Sequence, residues 1–275
     1  MTTVNDVPEN SYGILHREST DSAIDEVVEQ VRGIGYAVLD SGYSAGALAE
    51  LSDEFNRTWE RYIGRYDESV LRGLNELHTI RSPLTHGGEG FIRLALNPNL
   101  LAALSKLILG RYILNQQNGV INPPQETFSQ GMWHRDLPYQ HFVSTRSIAI
   151  NALFCVDDFT SENGATFVLP ASQKSEAFPS LAYVKRNAVQ VEAKAGSFIL
   201  LDCMLFHAGG FNRSSAARRA VNHVYTIPYL KQQINIPMNL KDADLSLEAK
   251  EIFGFNYMEP ASIDDYFAQR SGRKY

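Results

Sequence analysis

The sequence predicts helices packed against a β-sandwich or barrel, and three observations carry that prediction. Apolar residues recur at helical spacing through the first third of the chain. Beyond Arg111, short β-branched and aromatic runs alternate with turn residues. No internal repeat, low-complexity segment or linker interrupts the 275 residues. One domain over 1–275 is therefore expected, with a helical part over about 20–110, a β-rich part over about 111–232 and a C-terminal extension over 233–275.

Taken in order, the first twenty residues are polar and irregular, suited to a loose arm or an edge strand. Ser22 to Val31 reads as a helix on Ala23, Val27, Val28 and Val31, with Asp21 or Ser22 as N-cap. Gly33 to Asp40 is a glycine break followed by a short strand. Ser44 to Tyr62 is a second helix on Leu48, Leu51, Phe55, Trp59 and Tyr62. Pro98 to Leu109 is a third, with Pro98 at its start and Gly110 at its end. Strands are expected at Tyr112–Leu114, Ser147–Val156, Ala165–Leu169, Val189–Val191, Ser197–Leu201 and Ala220–Ile227. Asp242 to Phe253 reads as one more helix, followed by a polar tail.

Composition narrows the chemistry. The formal charge of −6 gives no basic stripe for a nucleic-acid backbone. No apolar run approaches the roughly 20 residues a membrane span needs, and the first residues carry no secretory signal pattern. Two cysteines, Cys155 and Cys203, make neither a disulfide framework nor a zinc motif, so a cytoplasmic, reducing location is expected. A small-molecule partner is expected rather than nucleic acid or membrane, with the oligomeric state left open. Any metal would have to be held by histidine and carboxylate.

The sharpest local feature is Met132-Trp133-His134-Arg135-Asp136. Residues two apart on a strand share a face, so His134 and Asp136 can hold one ion together. His207, 73 residues downstream and just past the apolar run Phe198–Leu201, supplies a third ligand from another strand. Two histidines and a carboxylate form a facial triad, leaving three adjacent positions open on an octahedral iron(II) for a bidentate co-substrate and O₂. Eleven residues past His207, Arg218 can fork onto a distal carboxylate. Arg219 beside it leaves a one-residue ambiguity, although neighbouring strand residues point to opposite faces and only one can enter the pocket.

These motifs resemble the phytanoyl-CoA dioxygenase (PhyH-like) family of iron(II)/2-oxoglutarate oxygenases, from about Arg32 to Tyr229. That family's pattern is W-H-x-D, then E-N-G, a P-G-S-H-like loop, A-G-D, and finally H-x-x-x-x-N-x-S with an arginine eleven residues past the histidine. Here the counterparts are Trp133 to Asp136, Glu162-Asn163-Gly164, Pro170-Ala171-Ser172-Gln173, Ala195-Gly196-Ser197, and His207 with Asn212, Ser214 and Arg218. The loop differs from the family by Ala171 and Gln173. The resemblance implies a mainly β fold with added α, a double-stranded β-helix (jelly-roll, cupin-like) core with N-terminal buttressing helices. It implies Fe(II) on His134, Asp136 and His207, and the C5 carboxylate of 2-oxoglutarate on Arg218, with Ser214 in the same motif. Asn122, twelve residues before His134, matches a co-substrate position, with Thr145 and Ser147 as alternatives. The implied reaction uses O₂ to hydroxylate or otherwise oxidise a small metabolite, in the manner of natural-product biosynthesis, with release of succinate and CO₂. Asp136 in place of a small residue disfavours a halide on the iron. The alternative is a jelly-roll metabolite-binding protein or cupin-type isomerase that does not use 2-oxoglutarate; such a protein needs no arginine at 218.

Candidate substrate contacts are Trp133, Tyr139 and Gln140 around the triad, His86 and Arg93 with Arg81 in and after a glycine-containing loop, and His223 two strand positions from Tyr225. For His223 a satisfied core histidine is the competing reading, and for Trp133 a packing support. The substrate pocket is expected to be walled by 66–90, the strand faces and 229–237.

Overall fold

A computed structural model describes residues 7–271. Its first helix, α1 (Ala23–Ile34), is capped by Ser22, whose side chain accepts from Asp25 N, and ends on Gly35 in the left-handed region at φ 89°. Strand β1 (Tyr36–Asp40) follows directly. Helix α2 (Ala45–Tyr66) starts on the Ser44 cap and runs a turn beyond Tyr62, because Gly64 alone does not stop it and Asp67, at φ 65°, does. Helix α5 (Pro98–Leu107) has Asn97 as its cap and Pro98 at its first position. Between α2 and α5 lie α3 (Glu68–Gly73), β2 (Thr79–Arg81) and α4 (Glu89–Ala95), all absent from the pattern reading of the sequence.

Two antiparallel sheets follow, giving the jelly-roll. The larger contains β3 (Ile113–Asn122), β4 (Ala149–Cys155), β7 (Ser197–Asp202) and β9 (Arg218–Thr226) with the two earlier strands, in the order β1-β7-β4-β9-β3-β2. The smaller has β5 (Phe167–Val168), β6 (Val189–Gln190) and β8 (His207–Ala208), in the order β6-β5-β8. His134 extends this sheet by pairing with His207 through reciprocal backbone bonds of 3.0 and 3.1 Å. An α6 (Leu181–Asn187) caps the region between β5 and β6.

Alternation on the large sheet divides the core. On β7, Phe198 and Leu200 join the main cluster with the helices, including Val28, Phe55 and Leu104. Ile199 and Leu201 face the other way, onto Val168, Leu205 and Ala220. The helices thus buttress one face, and the small sheet covers part of the other. The uncovered part of that inner face is where polar side chains gather.

Some expectations need correction. Residues 7–21 form no strand, and the free edges of the large sheet are β1 and β2. The expected helix over Asp242–Phe253 is only α8 (Leu247–Ile252), because Ser246 caps a new start there. It is preceded by the single turn α7 (Ile236–Asn239). The polar tail contains α9 (Ile263–Ser271).

Candidate metal and co-substrate site

His134, Asp136 and His207 bring one ligand atom each to within 4.8 Å of one another. The segment carrying the first two is extended, held by the His134–His207 pairing and by Asp136 N donating to Cys203 O at 3.1 Å. Each histidine has its Nδ1 against a backbone carbonyl, His134 on Met132 O at 2.7 Å and His207 on Leu205 O at 3.0 Å. Those bonds place the proton on Nδ1 and leave both Nε2 lone pairs free for an ion. Asn151 Nδ2 donates to Asp136 Oδ2 at 2.8 Å, which turns Oδ1 toward His207 Nε2, 3.5 Å away.

The electrostatics suit a cation. Burial acts to raise the Asp136 pKa, but the two histidines and the Asn151 bond outweigh it and hold the carboxyl below its usual range. Burial, reinforced by the charge of His207, lowers the pKa of His134 and favours its neutral, ligating form. His207 moves upward, because Asp136 overcomes the effect of burial. A metal would replace that proton.

Arg218 opens β9, 3% exposed, and lines the same cleft as the triad. Its guanidinium lies 3.7 Å from the ring centre of Phe159, and its Nε and Nη1 have no hydrogen-bond partner. Burial lowers its pKa to about 10, so it remains charged at neutral pH. A buried, unpaired guanidinium is costly until an anion reaches it. Arg219 takes the opposite face, forking onto Asp157 at 3.0 and 2.6 Å and bonding Asn56 Oδ1 on α2 at 2.7 Å. Strand parity therefore resolves the ambiguity between the two arginines.

The motif residues around this end act on the backbone. Asn163 accepts from Thr160 N at 2.9 Å and donates to Asp158 O at 2.7 Å, closing a turn that places Gly164 at φ 78°. Asn212 donates to Asn122 O at 3.1 Å and to Ala216 O at 2.8 Å, while Ser214 Oγ donates to Asn212 Oδ1 at 2.6 Å. Ser214 therefore shapes the turn before Arg218. Asn122 pairs with Arg218 across the ladder; its Nδ2 donates to Gly210 O at 2.9 Å and Gly164 O at 3.3 Å, while its Oδ1 is buried without a partner.

Several expected contacts lie elsewhere. Thr145 is exposed on a loop, and Ser147 Oγ donates to Asp202 at 2.6 Å. Trp133 alternates away from the triad and packs with Leu169, Val184 and Phe206. Arg135 shares that face, donating to the carbonyls of Met204, Gln140, Ser172, Glu176 and Ser175, and so ties the triad segment to two neighbouring loops. Gln140 returns a bond to Arg135 O at 3.4 Å, and Tyr139 is exposed beside Phe142. His86 sits against Tyr62 and Tyr66, and Arg93 faces an outer groove with Tyr43 and Leu51. Arg81 is engaged by Glu76 at 2.8 and 2.6 Å. His223 points to the helical side of β9, fully buried, with Nδ1 on Ala152 O at 3.0 Å and Nε2 taking a hydrogen from Gln117 at 2.9 Å. It is a satisfied core histidine.

The sequence reading missed Asn151 and Asn222, which line the cleft with Val120, Leu153 and Phe128. A polar residue inside the apolar runs 149–155 and 220–227 was their signal.

Comparison with known proteins agrees with this geometry. Residues 31–220 match the phytanoyl-CoA dioxygenase (PhyH) family. The uncharacterized protein Rv1501 of Mycobacterium tuberculosis is 30% identical over 263 residues, covering 93% of this chain and 95% of its own. Among solved structures, EctD from S. alaskensis, with 2-oxoglutarate and 5-hydroxyectoine, superposes with a TM-score of 0.63 at 22% identity, over 78% of this chain and 80% of its own. The epimerase SnoN, in complex with Fe3+, alpha ketoglutarate and nogalamycin RO, does so with 0.58 at 19%, over 74% and 83%. These two likenesses are of fold. The family match spans most of the chain, and the chain belongs to the phytanoyl-CoA dioxygenase family of oxygenases.

Proposed function

We propose that the protein is an Fe(II)- and 2-oxoglutarate-dependent oxygenase that hydroxylates, or otherwise oxidises, a small-molecule metabolite. The observation that carries this reading is one cleft holding both a two-histidine, one-carboxylate triad and an orphaned, buried guanidinium. The triad fits the donor set of a non-haem iron(II) site with open positions. Arg218 fits the far carboxylate of a dicarboxylic co-substrate. A metal-dependent isomerase or binding protein would leave that guanidinium without a partner.

Iron and 2-oxoglutarate, when bound, would supply O₂ activation, with succinate and CO₂ as co-products. The chain's own part is to hold and to orient. Met132 O and Leu205 O fix the two imidazoles, and Asn151 fixes the carboxylate, so the three ligand atoms need little reorganisation. Phe159 supports the Arg218 guanidinium and keeps water from it. The walls formed by Leu153, Leu201 and Ala220 keep the cleft partly dry, which strengthens the charge pairing. The test is Fe(II)-dependent conversion of 2-oxoglutarate to succinate, stimulated by the right substrate. His134→Ala is expected to abolish it while leaving the melting profile in place; undiminished turnover would remove His134 from the metal site.

A further inference from the structure

Beside the triad and Arg218, three carboxamides on the inner face of the large sheet, Asn118, Asn151 and Asn222, each keep an oxygen that no other group of the site uses. Asn118 and Asn222 are directly opposed across β3 and β9, and Asn151 lies diagonally from Asn222 on β4, whose Leu153 faces it. The Oδ1 atoms of all three are buried and without a partner. A buried carbonyl oxygen left unsatisfied is costly, and these three, clustered away from the Asn122 oxygen at the Arg218 end of the sheet, point to a ligand that satisfies them.

The polarity of two of them is fixed by their other bonds. Arg81, a donor only, bonds Gln233 Oε1 at 3.4 Å, and that same oxygen accepts from Asn118 Nδ2 at 3.3 Å. Asn118 therefore turns its oxygen inward. Asp136, an acceptor, takes Asn151 Nδ2, so the free atom of Asn151 is also its oxygen. Asn222, between them, makes no side-chain hydrogen bond among the described residues and can present either end.

We propose that Asn118, Asn151 and Asn222 form the substrate subsite, and that it takes a neutral small molecule carrying several hydroxyl groups. Two fixed acceptors and one adaptable carboxamide call for donors on the ligand. Opposed strand residues stand roughly 5 Å apart and diagonal ones about 7–8 Å, a spacing that hydroxyls around one ring can span. An acid has no free cation to meet, because Arg218 serves the co-substrate and Arg81 is held by Glu76. An ammonium has no free carboxylate, because Asp136 is the only one lining the cleft among the described residues, and it belongs to the metal. Val120, Leu153 and Phe128 provide the apolar wall for the carbon skeleton. This inference rests on the iron and 2-oxoglutarate reading of the same site.

The test is anaerobic titration calorimetry on protein loaded with Fe(II) and 2-oxoglutarate. The probes are myo-inositol, methyl glucoside and cis-cyclohexane-1,2-diol, each against its O-methylated counterpart, with cyclohexanecarboxylate and cyclohexylammonium as charged controls. Each hydroxylated member is expected to bind about tenfold or more tightly than its ether. That preference is expected to disappear in Asn222→Leu and Asn118→Leu, with Asn222→Ser retaining part of it. Equal binding of the pairs, preference for an ether or a charged control, no binding by any probe, or a preference untouched by the folded variants would overturn the inference. If a variant fails to fold, the wild-type comparison decides alone. Loss of 2-oxoglutarate binding itself, measured first, would instead sink the reading beneath it.

Discussion

Arg218 shows how far a single residue can be read from sequence. Its spacing from His207 marks it, and strand parity separates it from Arg219, which the structure places against Asp157 and α2. What spacing could not supply is its state: buried, charged and without partners on Nε and Nη1. Arg218→Ala is expected to weaken 2-oxoglutarate binding about 100-fold, the loss of a bidentate charge-assisted pair, with Fe(II) binding retained. Measuring both affinities on one preparation checks it, and a change below about threefold would remove Arg218 from the co-substrate site. The substrate candidates rest on residue type together with position in the chain: Tyr139 close after the triad, His86 and Arg93 in and after a glycine-containing loop, His223 on the last strand. Neither reveals the face on which a side chain emerges, and that face places His223 in the core and Arg93 on an outer groove.

Among the elements, the apolar helices were legible because each has one buried stripe and a capping serine or asparagine. Strand β3 was legible only at its start. Its continuation Asn115-Gln116-Gln117-Asn118-Gly119 is polar because its two faces carry functional and clamping groups in place of core. Asn118 stands opposite the cleft-lining Asn222 on one face, while on the other Gln117 accepts from Leu84 N and donates to Phe91 O and His223. The site thus erased the pattern of the strand that builds it. In the small sheet, β5 and β6 fall inside the expected runs Ala165–Leu169 and Val189–Val191, whereas β8, two residues long, is too short to show a period. The Glu162–Gly164 turn explains its motif physically: Gly164 sits at φ 78°, and a Cβ there would meet Gly210 O and, at 2.6 Å, Asn122 Nδ2. Gly164→Ala is expected to cost at least about 2 kcal/mol and to loosen the loop before Arg218. Urea unfolding together with 2-oxoglutarate affinity tests this, and unchanged values in both would contradict it.

For the molecule as a whole, the large sheet separates stability from chemistry. Its outer face binds the helices in one apolar cluster, and its inner face is only partly covered. His223 lies in the outer layer, where burial lowers its pKa to about 4. The unfolded chain, with a pKa near 6.5, takes up this proton first as pH falls, so the folded state loses stability between about pH 6.5 and pH 4, at up to about 1.4 kcal/mol per unit. Above that window the group contributes its full stabilisation. The stability gap between wild type and His223→Gln, from urea melts, should therefore narrow from pH 7 to pH 4.5, and a constant gap would contradict the assignment. The charge of −6 bears on solubility alone, and no helix among the described residues is long and apolar enough to cross a membrane. The central claim, that triad and arginine together receive iron(II) and 2-oxoglutarate, is tested most directly by adding 2-oxoglutarate to the Fe(II)-loaded protein without oxygen. A weak visible metal-to-ligand charge-transfer band is expected in the wild type, lost in His134→Ala and requiring far more 2-oxoglutarate in Arg218→Ala. No band in the wild type at millimolar 2-oxoglutarate would contradict the account.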